Sequence, residues 1–555
     1  MARSKTPSFV TELALKVSSE QEKELLARLQ AARQLYNCCL GEALIRLRQV
    51  RNSEPYKQAK NTKDKEQRIA LYLQADKENR FTDYDMKTFA TLTANRSKWM
   101  SDKLGAHEKQ SIGTRAFKAV EKIQLGQAKK VRFKVASRYR SVEGQSNATG
   151  IKWRIVEQKR PNKIGKSKDI RNKIKCAKYA VVWNGLELEP IIDLFNPVIA
   201  YGLNSPVKYC RILWRNLNGK RRWYVQLINE GLPYQKEPNY LGEGVIGLDL
   251  NISNVAFAGN NKAGLLPFAE KVPTYEKELK ALQRKMQRSQ RVANPDNYEP
   301  DFEKRVGNKL VKKKGKTKQG KRQWIKTRNY RRIQARKAEL ERRKYSYTKS
   351  QNRNLVNEIL RHGNIIKTEN VSVKGWQKIY GKAISAKSPG FFQSELKRKV
   401  AKLAGKSTLS GRLREKTGGK FIKFSTKKTA LSQTHLDGTR IKKSLSQRVH
   451  EDVTGFKLHR DLFSAFLARH VNDDLLSLLD AQNEYPGSES FAKRVRRTIL
   501  VDAWKLYQQT RSKVGASEIK SSHCSSDELS HKSVTSGQID IKVEKLECMP
   551  ESQIL

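Results

Sequence analysis

The chain has 555 residues, of which 113 are lysine or arginine and 55 are aspartate or glutamate, so its formal net charge is +58. A protein this basic repels itself unless it meets a polyanion; nucleic acid is the natural one, and an anionic membrane surface is the alternative. We find no run of about 18 apolar residues and no apolar signal-peptide core at the N-terminus. We therefore expect a protein that binds nucleic acid and no membrane, either cytoplasmic and nucleoid-associated in a prokaryotic cytosol or, if the source is eukaryotic, nuclear.

The cysteines give no sign of a disulfide framework or of a thiolate zinc site, because no two of them form a Cys-x-x-Cys pair. The six are Cys38, Cys39, Cys176, Cys210, Cys524 and Cys548.

The N-terminal part combines a strand and a helical region. Residues 9–16 alternate as a short strand, and Ser19 then opens a helix with Glu22 in the capping-box position. Along this helix Leu25 and Leu29 begin an apolar stripe at helical spacing, whereas Arg28 falls on a face that we expect not to pack. Through about residue 125 the chain stays helical and charged. It is either a solvated bundle or a bundle whose basic face holds RNA.

Residues 131–230 read as strands. The clearest piece is a hairpin at Asn218 and Gly219, since a type I′ turn needs positive φ at both central residues. Trp214, Trp223 and Tyr224 flank this turn among arginines. That pattern suits base stacking and equally suits an ordinary barrel core. Residues 231–238 are typical of a linker and mark a domain boundary.

One acid stands in an otherwise apolar stretch over residues 244–260, which predicts a strand, a tight turn and a returning strand. An ionised Asp249 there is costly unless something binds it. The alternative is that Asp249 caps the turn with Asn251 and Asn254.

The most basic segment follows, with a Gly/Lys-rich flexible loop predicted over residues 308–323 and a long helix over 329–360. A charge run is usually a solvated face, but here the acids are too few to balance it. We predict that the nucleic-acid contacts are Lys312, Lys313, Lys314, Arg331, Arg332, Arg336, Arg342, Arg343, Arg448 and Arg460.

Two further acids lie where Asp249 could meet them. Glu369 ends a predicted strand, and Asp461 lies in the first turn of a predicted helix, where an acid is also a common stabilising device. The three acids can converge at one edge of a sheet. Mg²⁺, for which Mn²⁺ can substitute, takes carboxylate oxygens, and two such ions about 3.5–4 Å apart serve phosphodiester cleavage. Asp249, Glu369 and Asp461 are therefore the candidate metal ligands and catalytic residues of a magnesium nuclease.

The segments GLDLNISNVAFAG, IIKTENVSV and GFKLHRDLFSAFLARHV resemble, in this order, the three motifs of RuvC-type nuclease domains. Their arrangement is similar to that of TnpB transposon-associated nucleases and compact type V CRISPR effectors, and the resemblance covers most of residues 9–475. It implies RNA-guided cleavage of DNA at a single RuvC-like site, with guide RNA and target DNA as partners.

The resemblance also implies an α/β fold with a defined order of domains. An RNase H-like nuclease domain would occupy residues 240–273 and 359–480, with a basic helical insert at 274–358. A β-barrel of the wedge type would occupy residues 1–17 and 126–235 and carry a helical recognition insertion at 18–125. The tail, residues 514–555, reads as disordered.

The chain departs from the family at its zinc ribbon, which normally lies between the second and third motifs. Residues 425–460 form a degenerate counterpart, because Thr434, Asp437, Glu451 and Thr454 occupy the positions of the four cysteines. None of these is a soft ligand, so we expect no structural zinc. Three histidines could form a makeshift site, but we favour the interpretation that they lie on the surface. They are His435, His450 and His459.

The first motif also departs from the family, since Asn251 replaces a more usual glycine; asparagine tolerates left-handed geometry, so the turn can survive. Both departures keep an alternative open, in which the chain binds DNA under RNA guidance but cuts weakly or not at all. A transposon-associated DNA-binding protein, or transposase, is a further alternative.

Overall fold

The computed structural model describes residues 7–158, 177–236, 239, 241–307, 309–320, 322–402, 419–444, 447–452 and 457–484. The chain divides into two compact units, Met1–Tyr234 and Gln235–Leu555, and the division falls within the predicted linker. Within the described ranges, no helix is both long and apolar enough to span a membrane. Cys176, Cys524, Cys548, Thr454 and the tail over residues 514–555 lie outside the described residues.

The first unit contains the predicted helical region. The long helix begins at Ser19 as predicted, but its capping box consists of Ser18 and Gln21, one residue earlier than expected, because Ser18 is the last residue with extended backbone. Leu25 and Leu29 are buried as predicted. The helices are α1 Ser19–Asn52, α2 Glu54–Asn61, α3 Lys65–Glu78, α4 Asp83–Asn95, α5 Lys98–Lys103, α6 Ala106–Gln124 and α7 Pro197–Leu203.

Arg28 contradicts the prediction that it lies on an unpacked face. Only 6% of the residue is exposed. Its guanidinium donates to the carbonyl oxygen of Trp183 and pairs with Glu24 at 2.8 Å. A buried arginine is tolerated here because these partners satisfy its charge and its N–H groups.

The described strands of the first unit form one seven-stranded sheet in the order β2-β6-β7-β1-β5-β4-β3. Strands β2 and β3 are the two ends of this order and do not pair in the described part of the chain, so the closed barrel that we expected is not found. The strands are β1 Ser8–Lys16, β2 Ser141–Glu143, β3 Ile151–Gln158, β4 Ala177–Trp183, β5 Leu186–Ile191, β6 Val207–Leu217 and β7 Lys220–Glu230.

The hairpin between β6 and β7 confirms the turn prediction. Asn218 and Gly219 have φ values of 49° and 77°. Trp214 and Trp223 are buried, with 8% and 4% exposure, so their apolar rings serve the core of this unit. The arginine between the turn and the core, Arg221, lies with its guanidinium 4.9 Å from the Trp214 ring centroid, a cation–π contact.

The second unit is built on a mixed five-stranded sheet of the described residues, in the order β10-β9-β8-β13-β14. Strand β8 pairs antiparallel with β9 and parallel with β13, which in turn is parallel to β14. These strands are β8 Val245–Leu250, β9 Asn254–Ala258, β10 Ala263–Pro267, β13 Ile365–Glu369 and β14 Lys420–Phe424, with the short strands β11 Phe302–Val306, β12 Lys309–Lys313, β15 Val449–Glu451, β16 Lys457–His459, β17 Val471–Asn472 and β18 Leu475–Leu476 elsewhere.

Helices cover both faces of this sheet. The helices described in the second unit are α8 Glu276–Ala293, α9 Arg328–Leu360, α10 Val373–Lys387, α11 Pro389–Lys402, α12 Thr426–Thr429, α13 Arg460–Arg469 and α14 Leu478–Glu484. Leu248 packs in a core with Val356 of α9 and Leu396 of α11. On the other face, Ala256 packs in a core with Phe463 of α13. The sheet is therefore the middle of three layers.

The basic segment differs from the prediction in one part. The expected long helix is present as α9, but residues expected to form a flexible loop lie partly on β12, which pairs antiparallel with β11. Both strands are exposed throughout. The many lysines suggested a loop. A short strand that is solvated on both faces shows no alternation of apolar and polar residues, so the sequence pattern does not reveal it.

Candidate metal and nucleic-acid site

Two of the three predicted acids stand side by side on neighbouring parallel strands. Thr368 of β13 pairs with Leu248 of β8, and the next residues along the two strands are Glu369 and Asp249. Side chains alternate between the faces of a sheet, and Leu248 packs under α9 and α11. Both carboxylates therefore lie on the opposite face, which α13 covers.

A close approach of α13 to β8 brings the third acid to the same face. A Cβ on Gly247 would lie 2.0 Å from the carbonyl oxygen of Ala465 and 2.7 Å from the backbone nitrogen of Arg469. Only glycine permits this approach. Asp461 lies in the first turn of α13 and is 3% exposed. The helix thus sets Asp461 over the strand that carries Asp249.

The electrostatics of this face show that Glu369 and Asp461 both act on Asp249. Burial raises the pKa of Asp249 well above its ordinary value, and the negative charges of Asp461 and Glu369 raise it further, against the opposing effect of Arg460 and Arg448. Burial also raises the pKa of Glu369 to about 7. A bound divalent cation would relieve this crowding of negative charge.

Two predicted nucleic-acid residues surround Asp461 instead of forming a separate surface. Arg448 Nη1 and Arg460 Nε each lie 3.8 Å from an oxygen of Asp461. Arg460 is 8% exposed and donates to the carbonyl oxygen of Ser444 at 3.0 Å, so its burial argues against a direct phosphate contact. The side chain of Arg448 is 51% exposed and is open to a phosphate beside the acids.

The donor set fits a hard cation. Three carboxylates offer oxygen ligands alone, which suit Mg²⁺ or Mn²⁺. The oxygens of these three acids do not all lie within 4.8 Å of one another. Within the described ranges, the one group of three candidate ligands that meets this limit is His435, His450 and Asp452. A wider set of acids fits two ions, which lie about 3.5–4 Å apart in two-metal sites.

The turn after β8 closes through its backbone. The N–H of Asn251 donates to the carbonyl oxygen of Asn254 at 3.0 Å, so the turn does not require a cap from Asp249. Asn251 has no positive φ, and the left-handed geometry that we expected at this residue is wrong. The replacement of glycine by asparagine therefore costs the backbone nothing at this position.

The predicted contacts of the basic segment are exposed or half-buried, and several have acid partners. Pairs between exposed side chains are worth little in water, so Lys312, Lys314 and Arg336 remain available to phosphate. Glu339 is buried, and it holds Arg342 and Arg343 more firmly. Lys313 and Arg331 have no acid within 4.0 Å among the described residues, and Arg332 donates to Asn329 at 3.1 Å. The pairs are Lys312–Glu303 at 4.0 Å, Lys314–Asp301 at 3.6 Å, Arg336–Glu278 at 2.8 Å, Arg342–Glu339 at 2.8 Å and Arg343–Glu339 at 3.1 Å.

The histidines that we expected on the surface are buried, which contradicts that interpretation. His435, His450 and His459 are 4%, 0% and 3% exposed. His459 is the N-cap of α13, and its Nδ1 accepts the backbone N–H of Asp461 at 3.2 Å. The other two histidines face Asp452, a residue that the sequence motifs did not single out. The His-x-Asp spacing could have revealed it, because residues two apart on an extended chain share a face.

Comparison with known proteins gave structural matches alone. No protein-family model matches the sequence, and no curated protein matches it. The chain is similar to a structure described as the Cas12f1–sgRNA–target DNA complex, with a TM-score of 0.36 and 11% identity, covering 83% of this chain and 98% of that chain. It is also similar to a CRISPR–Cas12f ternary complex, with a TM-score of 0.24 and 11% identity, covering 81% of this chain and 82% of that chain. These TM-scores are low, so the residues of the site carry the functional proposal.

Proposed function

We propose that this chain is a magnesium-dependent, RNA-guided DNA endonuclease with one RuvC-like site made of Asp249, Glu369 and Asp461. The observation that carries the proposal is the convergence of these acids on one sheet face, where each of the other two raises the pKa of Asp249. A net charge of +58 supplies the attraction to nucleic acid. The mixed sheet flanked by helices is consistent with the RNase H-like fold that the three sequence motifs imply.

Each part of the site has a role in this proposal. Asp249, Glu369 and Asp461 would hold the ions, which when bound activate water and stabilise the leaving oxygen. Arg448, partly exposed beside Asp461, would bind the scissile phosphate and orient it. Gly247 would set the position of Asp461 by letting α13 approach β8.

The proposed partners are a guide RNA and a target DNA. One structural neighbour is a complex with an sgRNA and a target DNA, and this chain has an exposed basic hairpin, β11–β12, together with a basic helix, α9. Base pairing would then read the target sequence, while the protein holds the backbone through phosphate contacts.

The test uses the full chain purified with its co-transcribed RNA and a matched DNA target with randomised flanks. Asp249→Asn, Glu369→Gln and Asp461→Asn each remove one carboxylate while keeping side-chain shape. We expect each variant to lower the cleavage rate by at least about 100-fold and to keep target binding. Residues that only support the ligands of a metal site cost up to about 100-fold when they are replaced, and loss of a ligand should cost at least as much. The matched control is Asp473→Asn, an exposed acid whose positive φ asparagine also tolerates.

The outcomes separate the proposal from its alternative. Cleavage that persists in all three variants contradicts the nuclease proposal. RNA-dependent target binding by the wild-type chain, without strand scission in saturating Mg²⁺, favours a guided DNA-binding protein.

A further inference from the structure

Two turns of the second unit bring a histidine each to one buried point. In the first, the N–H of His435 donates to the carbonyl oxygen of Thr439 at 2.9 Å, and the N–H of Gly438 donates to the carbonyl oxygen of His435 at 3.0 Å. In the second, His450 lies at the middle of β15, which pairs with β16. Asp452 follows β15 and is 4% exposed. The two turns therefore present two imidazoles and one carboxylate to each other away from solvent.

The distances suit one small ion. Asp452 Oδ1 lies 3.8 Å from His435 Nδ1 and 3.8 Å from His450 Nε2, and one ligand atom from each residue lies within 4.8 Å of the others. Ligands held at about 2.0–2.1 Å around a tetrahedral ion lie about 3.3 Å apart. To reach that spacing, each imidazole nitrogen would move about 0.5 Å closer to Asp452, and the two imidazoles would approach each other by at most about 1.5 Å.

The ring nitrogens themselves call for a partner. Both nitrogens of His435 and Nε2 of His450 are buried, and none has a hydrogen-bond partner among the residues that the structure describes. Buried polar atoms without partners are rare in folded proteins because desolvation is costly. An ion bound by His435, His450 and Asp452 would take one nitrogen of each imidazole and so satisfy two of these three atoms.

We propose that His435, His450 and Asp452 form a binding site for a zinc ion. Two imidazoles and a carboxylate suit Zn²⁺ and leave a fourth position for water. Lys443 Nζ contacts Nδ1 of His450, which leaves Nε2 for the ion. The N–H of Leu436 donates to Asp452 Oδ1 at 3.4 Å, and such outer contacts commonly orient metal ligands.

The site differs from the one that the resemblance suggested, and it revises the expectation of no structural zinc. None of its three ligands occupies a position aligned with a cysteine of the ribbon. The ion would join the two turns to α13, because the His450 ring stacks on Phe463 with centroids 4.0 Å apart. This role is structural and does not depend on nuclease activity.

The test measures metal content in the full-length chain. We expect about one zinc ion per chain after purification without chelators, and the intense visible absorption of four-coordinate Co²⁺ after zinc removal and cobalt addition. His450→Asn and Asp452→Asn should each lower bound zinc by at least about tenfold. His470→Gln, a change at another buried histidine of this unit, and Asp249→Asn serve as controls and should keep the zinc.

Several results would overturn the proposal. Wild-type chain that contains no zinc and gives no cobalt absorption refutes it, and so does full zinc in both ligand variants. Zinc lost from Asp249→Asn but kept in His450→Asn would place the ion at the acids instead. Should the ligand variants fold poorly, the Asp249→Asn variant still decides, because zinc and cobalt absorption that persist in it cannot come from the three acids. No readout depends on cleavage, so a failure of the nuclease proposal would leave this test unaffected.

Discussion

Replacing Gly247 by alanine should displace the helix that carries Asp461. The added Cβ would lie 2.0 Å from the carbonyl oxygen of Ala465, which is 1.4 Å closer than the shortest ordinary van der Waals contact of 3.4 Å. Backbone atoms of α13 form this wall, so no side chain can swing away. Overpacking of this kind costs about 1–3 kcal/mol of folding free energy, and a shift of about 1 Å in a reacting group costs about 100-fold in rate.

The assay separates the two effects. Urea unfolding gives the loss of stability, and single-turnover cleavage of a matched target under conditions where the variant is fully folded gives the rate. We expect the rate of Gly247→Ala to fall about 100-fold while RNA and target binding stay at the wild-type level. Gly381→Ala is the matched control, because Gly381 lies in α10 with no atom within 4 Å of its added Cβ. It should be neutral or stabilise the chain by about 0.5–1 kcal/mol.

One result would refute this reasoning about the site. If folded Gly247→Ala cleaves at the wild-type rate, then the position of α13 over β8 does not control the chemistry, and Asp461 is not a working part of it. A variant that loses stability but keeps its rate would lead to the same conclusion, with Gly247 left as a packing residue alone.

The remaining predictions concern protons, charge and packing. The pKa of Glu369 is raised from 4.5 to about 7 in the metal-free fold. The chain in EDTA should therefore lose stability as pH rises from 4.5 to about 7, and Mg²⁺ affinity should rise over the same interval, with proton release measured by titration calorimetry in two buffers. Glu369→Gln should weaken this pH dependence and leave the part that comes from Asp249, whose pKa is also raised. Lys312→Gln and Lys313→Gln should each reduce the slope of log binding constant against log salt concentration for RNA by about one unit per lost phosphate contact. Filter binding at several salt concentrations measures this slope. An unchanged slope would exclude a phosphate contact by β12. Arg28→Met should cost about 1–3 kcal/mol in urea unfolding, because it leaves the buried carbonyl oxygen of Trp183 without this donor, while Glu24 keeps Lys103 at 2.7 Å. Arg48→Met, an exposed change in the same helix, should cost nearly nothing.

Local chemistry is what the sequence predicts best in this chain. The turn at Asn218 and Gly219 follows from the demand for positive φ at two consecutive residues, and the structure has it. Glu369 at the end of a strand and Asp461 in a first helical turn follow from periodicity and capping patterns, and the structure has both elements. Each of these features depends on residues within about ten positions.

Features that depend on distant residues could not be predicted from the same patterns. Gly247 reads as an ordinary glycine in a strand until α13 is seen packed against it. Arg28 reads as a surface charge until Trp183, far along the chain, offers its carbonyl oxygen. His435 is buried because its turn packs against the segment that carries His450. Charge and spacing within either segment alone do not predict this packing.

The degenerate ribbon bears directly on whether the site can cut. The absence of all four cysteines suggested that Asp461 is held less firmly. The segment nevertheless keeps an apolar core, in which Leu431, Leu436 and Leu458 pack with Phe463 of α13. From the other side, the contact at Gly247 fixes the same helix against β8. Since α13 is held from both sides without any thiolate, missing cysteines do not by themselves imply a misplaced Asp461. The balance between a nuclease and a guided binder therefore depends on the metal affinity of the three acids, more than on the loss of the ribbon's original ligands.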